Sequence, residues 1–266
     1  MTFEEYKDRF GINGDVNIIE DAHFGIVNGH ITTNVLHSNA LSFRGLYAPP
    51  FASSNFTFDG WICGETVKTQ HYSWLPFQVR RSGRVAEIEV ESTFTLVSGE
   101  RAFLLEIKLT NTSLEHKTVP LHFDIHGGLD YVTSWDFARP VADKPCQVAY
   151  KSTYTIRRND TGAVVLAANG MSREAFVPHW KTTVILEPNE TQSFCLTMAM
   201  GEAEEAEKLA LRLLENPTQA VAETCEAEVA RAKVLLGTLP RLSAADKRLE
   251  KFYDRSALHF LLNQWQ

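Results

Sequence analysis

The chain has 266 residues, 44% hydrophobic and 22% charged, with 26 basic against 33 acidic side chains and a formal charge of −7. This is the composition of an ordinary globular chain, long enough for one large β domain with an appendage or for two ordinary domains. It excludes a general nucleic-acid binder, which needs a basic stripe, and a helical membrane protein, which needs a long uninterrupted apolar run.

The N-terminal stretch MTFEEYKDRFGINGD lacks the apolar core of a signal peptide, so the expected location is the cytoplasm. Residues 15–36 read as two short strands turned at Asn28-Gly29. Residues 39–61, rich in Phe, Pro, Ser and Asn, read as a long loop packed by its own aromatics. Ile88, Val90, Phe94 and Leu96 then alternate with polar partners, as do Phe103, Leu105, Ile107 and Leu109 beyond a turn at Ser98-Gly99-Glu100. These two runs form a predicted hairpin. The acidic Glu87, Glu89 and Glu91 fall on its solvated face, and Arg80, Arg81, Arg84, Arg157 and Arg158 read as solvated turn or strand charges.

Further strands are predicted over residues 119–125, 147–157 and 163–168. Residues 181–200 read as a hairpin through Glu187-Pro188-Asn189-Glu190, and Phe194, Leu196, Met198 and Met200 line one side of its half-buried second strand. At Gly201 the period changes to helical. The first helix is predicted over 203–214, with acids crowding its first turn. The second starts at Asn216-Pro217, carries the stripe Val221, Cys225, Val229, Ala232 and Leu236, and stops at Gly237. The third starts at Ser243, with Asp246 three residues on as in a capping box. Its Leu249, Phe252, Phe260, Leu261, Leu262 and Trp265 point to more than one side, so it folds back on the body or meets a partner.

Many short strands without intervening helices indicate a mainly β fold, a large antiparallel sandwich over residues 1–200, followed by a C-terminal helical linker over 201–266. Cys63, Cys146, Cys195 and Cys225 are scattered, without disulfide or zinc-ligand spacing, and neither a metal nor a cofactor is expected. The glycosylation-type triplets at Asn55, Asn111, Asn159 and Asn189 are read as chance matches.

Two groups of residues are candidates for chemistry. In LHFDIHGG, His122, Asp124 and His126 share the polar side of a strand whose other side carries Leu121, Phe123 and Ile125. Two imidazoles and a carboxylate suit a metal or acid–base work on a sugar, but with no fourth ligand in sight a polar face meeting solvent or a neighbouring domain is the favoured account over a metal site. Tyr72, Trp74, Trp135 and Trp180, with Trp61, are candidate platforms for stacking on sugar rings, and core packing is the competing explanation for each. No paired carboxylate, nucleophile elbow or phosphate loop stands out, so no catalytic residue is assigned.

The strands ERAFLLEIKLTNTSLEHKTVPLHFDIHG, the final strand pair and the closing segment LPRLSAADKRLEKFYDRSALHFLLNQWQ together resemble the N-terminal part of a six-hairpin glycoside hydrolase. That superfamily includes glucoamylase-like, trehalase-like, processing α-glucosidase-like and α-L-rhamnosidase-like enzymes. The resemblance implies a β-supersandwich, of the type shared with mutarotases, ahead of an α/α-toroid that carries the catalytic carboxylates. It implies a non-catalytic support domain that lends at most a loop to the substrate cleft. Its partners are then the toroid, or a second copy through the last helix, and a carbohydrate. A mutarotase-like sugar epimerase using His122, Asp124, His126 and His179, or a carbohydrate-binding module, stands as the alternative.

Overall fold

The computed structural model of the chain describes residues 1–16, 23–131, 144–169, 172–173 and 179–262. Helix α1 (Phe3–Phe10) comes first, then β1 (Ile12–Asp15), β2 (His23–Val27), β3 (Thr32–Leu36), β4 (Phe43–Ala48), β5 (Phe51–Ile62), β6 (His71–Leu75), β7 (Gln78–Val85) and β8 (Ile88–Leu96). Next are β9 (Ala102–Asn111), β10 (Lys117–His126), β11 (Asp130–Tyr131), β12 (Gln147–Tyr150), β13 (Tyr154–Arg158), β14 (Ala163–Ala168), β15 (Ser172–Arg173), β16 (His179–Leu186) and β17 (Thr191–Gly201). Helices α2 (Ala203–Glu215), α3 (Pro217–Gly237) and α4 (Lys247–Leu262) follow. The strands form two antiparallel sheets, one of nine strands ordered β1-β6-β7-β8-β9-β17-β14-β13-β12, the other of eight ordered β15-β16-β10-β5-β4-β3-β2 with β11 beside β5. The mainly β sandwich with C-terminal helices is thus the observed architecture. Among the described residues no helix is long and apolar enough to cross a membrane.

The sheets face each other across a core in which aromatic rings interlock. Phe43 of the eight-stranded sheet meets Phe94 and Phe103 of the nine-stranded one at 5.1 and 4.9 Å between centroids, and Phe58 lies 5.4 Å from Phe123. Gly60 is required beneath this cluster, since a Cβ there would sit 2.8 Å from the Phe123 ring and 2.7 Å from Leu41 Cβ. The nine-stranded sheet is covered on its other side too. There Ala102, Leu104, Ala163, Val165, Ala167 and Ala199 lie under Ala206, Ala210, Leu213 and Leu214 of α2. The small alanines let the helix come close, and Thr197 donates to the Ala210 carbonyl at 2.8 Å. A third cluster joins Tyr6 and Phe10 of α1, Leu75, Phe77, and Leu258 and Leu262 of α4.

Several expectations change. The 39–61 segment is not a loop but the hairpin β4–β5, closed by Pro49-Pro50. Its Pro, Ser and Asn residues hide an inward row of Phe56, Phe58, Gly60 and Ile62, all buried. Residues 147–157 split into β12 and β13. The turn at 187–190 makes no hairpin, because β16 pairs with β10 in one sheet while β17 pairs with β9 and β14 in the other. Strand β17 is therefore buried on both faces over most of its length, rather than half-buried. The last helix starts at Lys247 rather than Ser243, with Asp246 as its cap, accepting from Arg248 N at 2.9 Å. Helix α1 is absent from the predicted elements, although Phe3, Tyr6 and Phe10 recur at helical spacing behind a Thr2–Glu5 capping box.

Arg81 and Arg157 are not solvated. Arg81, 1% exposed, reaches from β7 across the sandwich and donates through Nη1 to the carbonyls of Leu36, Asn39 and Ser42 at 2.8, 2.9 and 3.1 Å. Burial pushes its pKa down to about 9, so it stays charged at neutral pH. Arg157 of β13 donates to Gly127 O at 2.7 Å and Ile125 O at 3.3 Å, at the end of β10. Asn111, fully buried, performs the same task where β9 leaves for the other sheet. It donates to Glu115, Leu186 and Glu187 carbonyls at 2.7, 3.1 and 3.2 Å, and its Oδ1 accepts from Ser113 N. That burial also rules out glycosylation of its triplet.

Helix α3 docks through polar groups absent from its predicted stripe. Buried Thr224 and Glu228 take the Ser98 amide and hydroxyl at 3.3 and 2.6 Å, and Arg231 donates to the Asn28 carbonyl. Asn28 in turn donates to Val97 O at 2.6 Å, so two sheet turns and a helix meet at one point.

Asn111→Ala should lower stability by about 3 kcal/mol, because buried carbonyls lose their donor. Asn111→Asp should be no milder, since it turns an oxygen toward those carbonyls. Urea midpoints measure both. Burial raises the Glu228 pKa against the opposing pull of Ser98 and Arg231. Its contribution to stability is then full below the ordinary carboxylate pKa and is lost as pH rises through the raised value. Wild type minus Glu228→Gln should accordingly fall as pH rises above the ordinary carboxylate range in urea titrations.

Candidate functional site

Helix α2 covers the nine-stranded sheet over β9, β17, β14 and β13, whereas the outer face of the eight-stranded sheet carries a polar row at its centre. Alternation dictates what it carries. On β10 the burial pattern puts Leu121, Phe123 and Ile125 inside and His122, Asp124 and His126 outside. On β5, Thr57, Asp59 and Trp61 face out between buried Phe56, Phe58, Gly60 and Ile62. Register then brings the two rows together, with His122 opposite Trp61, Asp124 opposite Asp59, and His126 opposite Thr57. The expected polar row of β10 is therefore real as a row, and it has a second half that the sequence reading passed over.

The contacts are specific. His122 Nε2 lies 2.6 Å from Asp124 Oδ1, and its ring sits 5.3 Å from the Trp61 ring at a tilt of 42°. Arg44 of β4 donates through Nη2 to Asp59 Oδ1 at 2.7 Å and through Nη1 to the Phe43 and Phe58 carbonyls at 2.9 and 3.2 Å. Lys181 of β16 stands opposite His122 on the far side. Two facing carboxylates thus each carry a cationic or imidazole partner, which offsets the repulsion of like charges directly opposite in a sheet. Trp61, Asp59, His122 and Asp124 are all half-buried, held on strands rather than on loops.

The other predicted platforms fare differently. Trp74 is 8% exposed and spends its Nε1 on the Gly25 carbonyl at 3.0 Å, inside the core. Trp180, 1% exposed, packs in the same core opposite Phe123. Neither presents a ring face to a ligand, and the reason is register, which turns both inward. Tyr72 is half-buried against Phe24, 4.6 Å between centroids, at the edge of the core. Trp135 and the side chain of His179 lie outside the described residues. Among the described residues no group of three His, Cys, Asp or Glu side chains is arranged to hold a metal ion. Asp59 and Arg44 were missed because an Asp and an Arg in an apparent loop carry no signal; reading β5 as a strand would have paired Asp59 with Trp61.

No family model matches the chain, and no curated protein sequence does. Solved structures do. A protein described as a kojibiose phosphorylase from the human microbiome superposes with a TM-score of 0.53 at 10% identity, over 82% of this chain and 37% of that one. A bacterial glucoamylase complexed with acarbose gives 0.51 at 9% identity, over 92% of this chain and 43% of the other. A protein described as an aldose 1-epimerase from Klebsiella pneumoniae gives 0.45 at 7% identity, over 70% of this chain and 81% of the other. At these identities the likeness is one of fold. The chain spans less than half the length of the phosphorylase and glucoamylase chains it matches.

Trp180→Ala should cost about 3–5 kcal/mol as a core cavity, whereas Trp61→Ala should stay within about 1 kcal/mol of wild type. Thermal unfolding of the two variants checks the division between packing and surface roles.

Proposed function

We propose that this chain is a non-catalytic domain of a carbohydrate-active enzyme of the glycoside hydrolase type, a scaffold on which a helical catalytic domain docks and to whose substrate cleft it lends a loop. The observation that carries the reading is the division of α4 into two apolar sides. One side holds Leu258 and Leu262, buried with α1 and Phe77. It is flanked by Asp254 paired to Arg9 at 2.6 Å, Lys251 paired to Asp8 at 2.8 Å, and Arg255 donating to the Phe10 and Gly11 carbonyls. The opposite side presents Leu249, Phe252 and Phe260, which are 54, 66 and 68% exposed. Their spacing puts them in one stripe along the helix.

A helix that satisfies the fold with one face has no need of large apolar groups on the other, so the second stripe fits a contact with another body. The nature of that body is inferred from the two superposed proteins, described as a kojibiose phosphorylase and a glucoamylase, whose chains extend well beyond the matched region.

The purified chain is expected to release no sugar from nitrophenyl glycosides. Phe252→Ser with Phe260→Ser is expected to leave the melting temperature unchanged, since surface replacements shift stability by about 0.5 kcal/mol or less. In analytical ultracentrifugation the same pair should suppress a weak, open-ended self-association of wild type. Glycoside turnover, unfolding by the double substitution, or a discrete tight dimer through α4 would each count against a docking stripe for a catalytic domain.

A further inference from the structure

The geometry points to a saccharide-binding site on the outer face of the eight-stranded sheet, with Trp61 as the stacking surface and Asp59 and Arg44 as partners for sugar hydroxyls. This role is separate from the α4 stripe and would survive its loss.

Chemistry selects the ligand class. A pyranose offers a face of C–H bonds flanked by hydroxyls that both donate and accept. Trp61 supplies the flat apolar surface, and its indole is held by packing against His122, 5.3 Å away. Along the same strand, Asp59 is the next outward residue, and Asp124 faces it across the β5–β10 pair. An ionised carboxylate has lone pairs for several hydrogen bonds, so Asp59 keeps accepting capacity beyond its pair with Arg44. The guanidinium of Arg44 supplies donors at the third side. Acceptors, donors and an aromatic face therefore converge on a few ångströms of rigid sheet, the arrangement a polyhydroxylated ring needs.

Other ligand classes fit worse. The two carboxylates balance Arg44 and Lys181, so the cluster lacks the excess of positive charge that nucleotides and nucleic acid need. The cluster also lacks a third metal-ligating group among the described residues. Stability is a weak explanation for the array, since exposed and half-exposed ion pairs contribute about 0–1 kcal/mol. A half-exposed Trp on a sheet face gains less from burial than Trp74 or Trp180 does from the core.

Saturation-transfer NMR on the full chain with glucose, maltose and kojibiose tests the site. Saturation should reach the ring protons of at least one of the three. Trp61→Ala should weaken binding about tenfold, the range an aromatic contact supplies. Trp61→Phe should restore most of it, and Asp59→Asn should weaken it several-fold. Thr118→Ala, an outward residue farther along β10, should change nothing and shows that the sheet itself is intact. Absence of transfer to all three sugars, or transfer that Trp61→Ala leaves untouched, overturns the site. Because none of these variants alters α4, such a failure leaves the docking role standing, and failure of the docking tests leaves this site standing.

Discussion

A guanidinium in the middle of a sandwich, with carbonyls as its partners, sets the terms for much of this fold. Arg81 is taken out of water without a described carboxylate beside it, at a desolvation cost of several kcal/mol. What offsets part of that cost is the β3–β4 connection, where Arg81 donates to the Leu36, Asn39 and Ser42 carbonyls, the last two of which also accept the Ser42 and Leu36 amides. Asn39 adds its own amide to the Gly60 carbonyl at 2.8 Å, and Ser92 closes on Ala40. At several connections a buried or half-buried polar side chain stands in for the ladder that has ended. Arg157 does so at the end of β10, Asn111 at the end of β9, and Asn28 where α3 arrives. The aromatic core supplies the driving force, and these donors make the connections between sheets compatible with it.

This division explains where function can lie. The nine-stranded sheet is buried on both sides where α2 lies on it, so the strands there run apolar, as AVVLAA does in β14, while β7 alternates buried and exposed residues. The eight-stranded sheet is buried on one side, and its other side is free to carry Trp, His, Asp and Arg in register. Position in the sheet matters as well. Strands β10 and β5 sit near its centre with a neighbour on each side, which holds their outward side chains more firmly than an edge strand could.

How much of this could be read from residues alone depends on the range of the interaction. The β8–β9 hairpin was legible because its alternation and turn are local, and the observed register pairs Leu96 with Phe103 as that pattern requires. The ends of α2 and α3 were legible for the same reason, with Asn216 accepting from Gln219 N at the start of α3. Strand β5 was obscured by Ser, Asn and Gly, residues whose local preference for turns is overridden by pairing on both sides. The crossing at Glu187–Glu190 was misread because a tight turn between two apolar runs looks alike whether the runs pair or part. Arg81 and Glu228 were invisible as buried groups, since their partners lie more than 35 residues away in sequence. Of the candidate site, the β10 row was legible by parity and Trp61 by residue type. Asp59 and Arg44 needed the register, and Trp74 and Trp180 needed the direction of their strands.

The order of strands has a further consequence. The path of the chain enters the nine-stranded layer at β1, leaves it at β2, and returns at β6, β12 and β17, with the other layer visited in between. Neither layer is a contiguous stretch of sequence, so no single cut liberates one of them, and recombination can transplant the pair or nothing. A lineage that kept the covered layer as a platform would inherit the open layer with it, and that open layer is the surface left free to diversify.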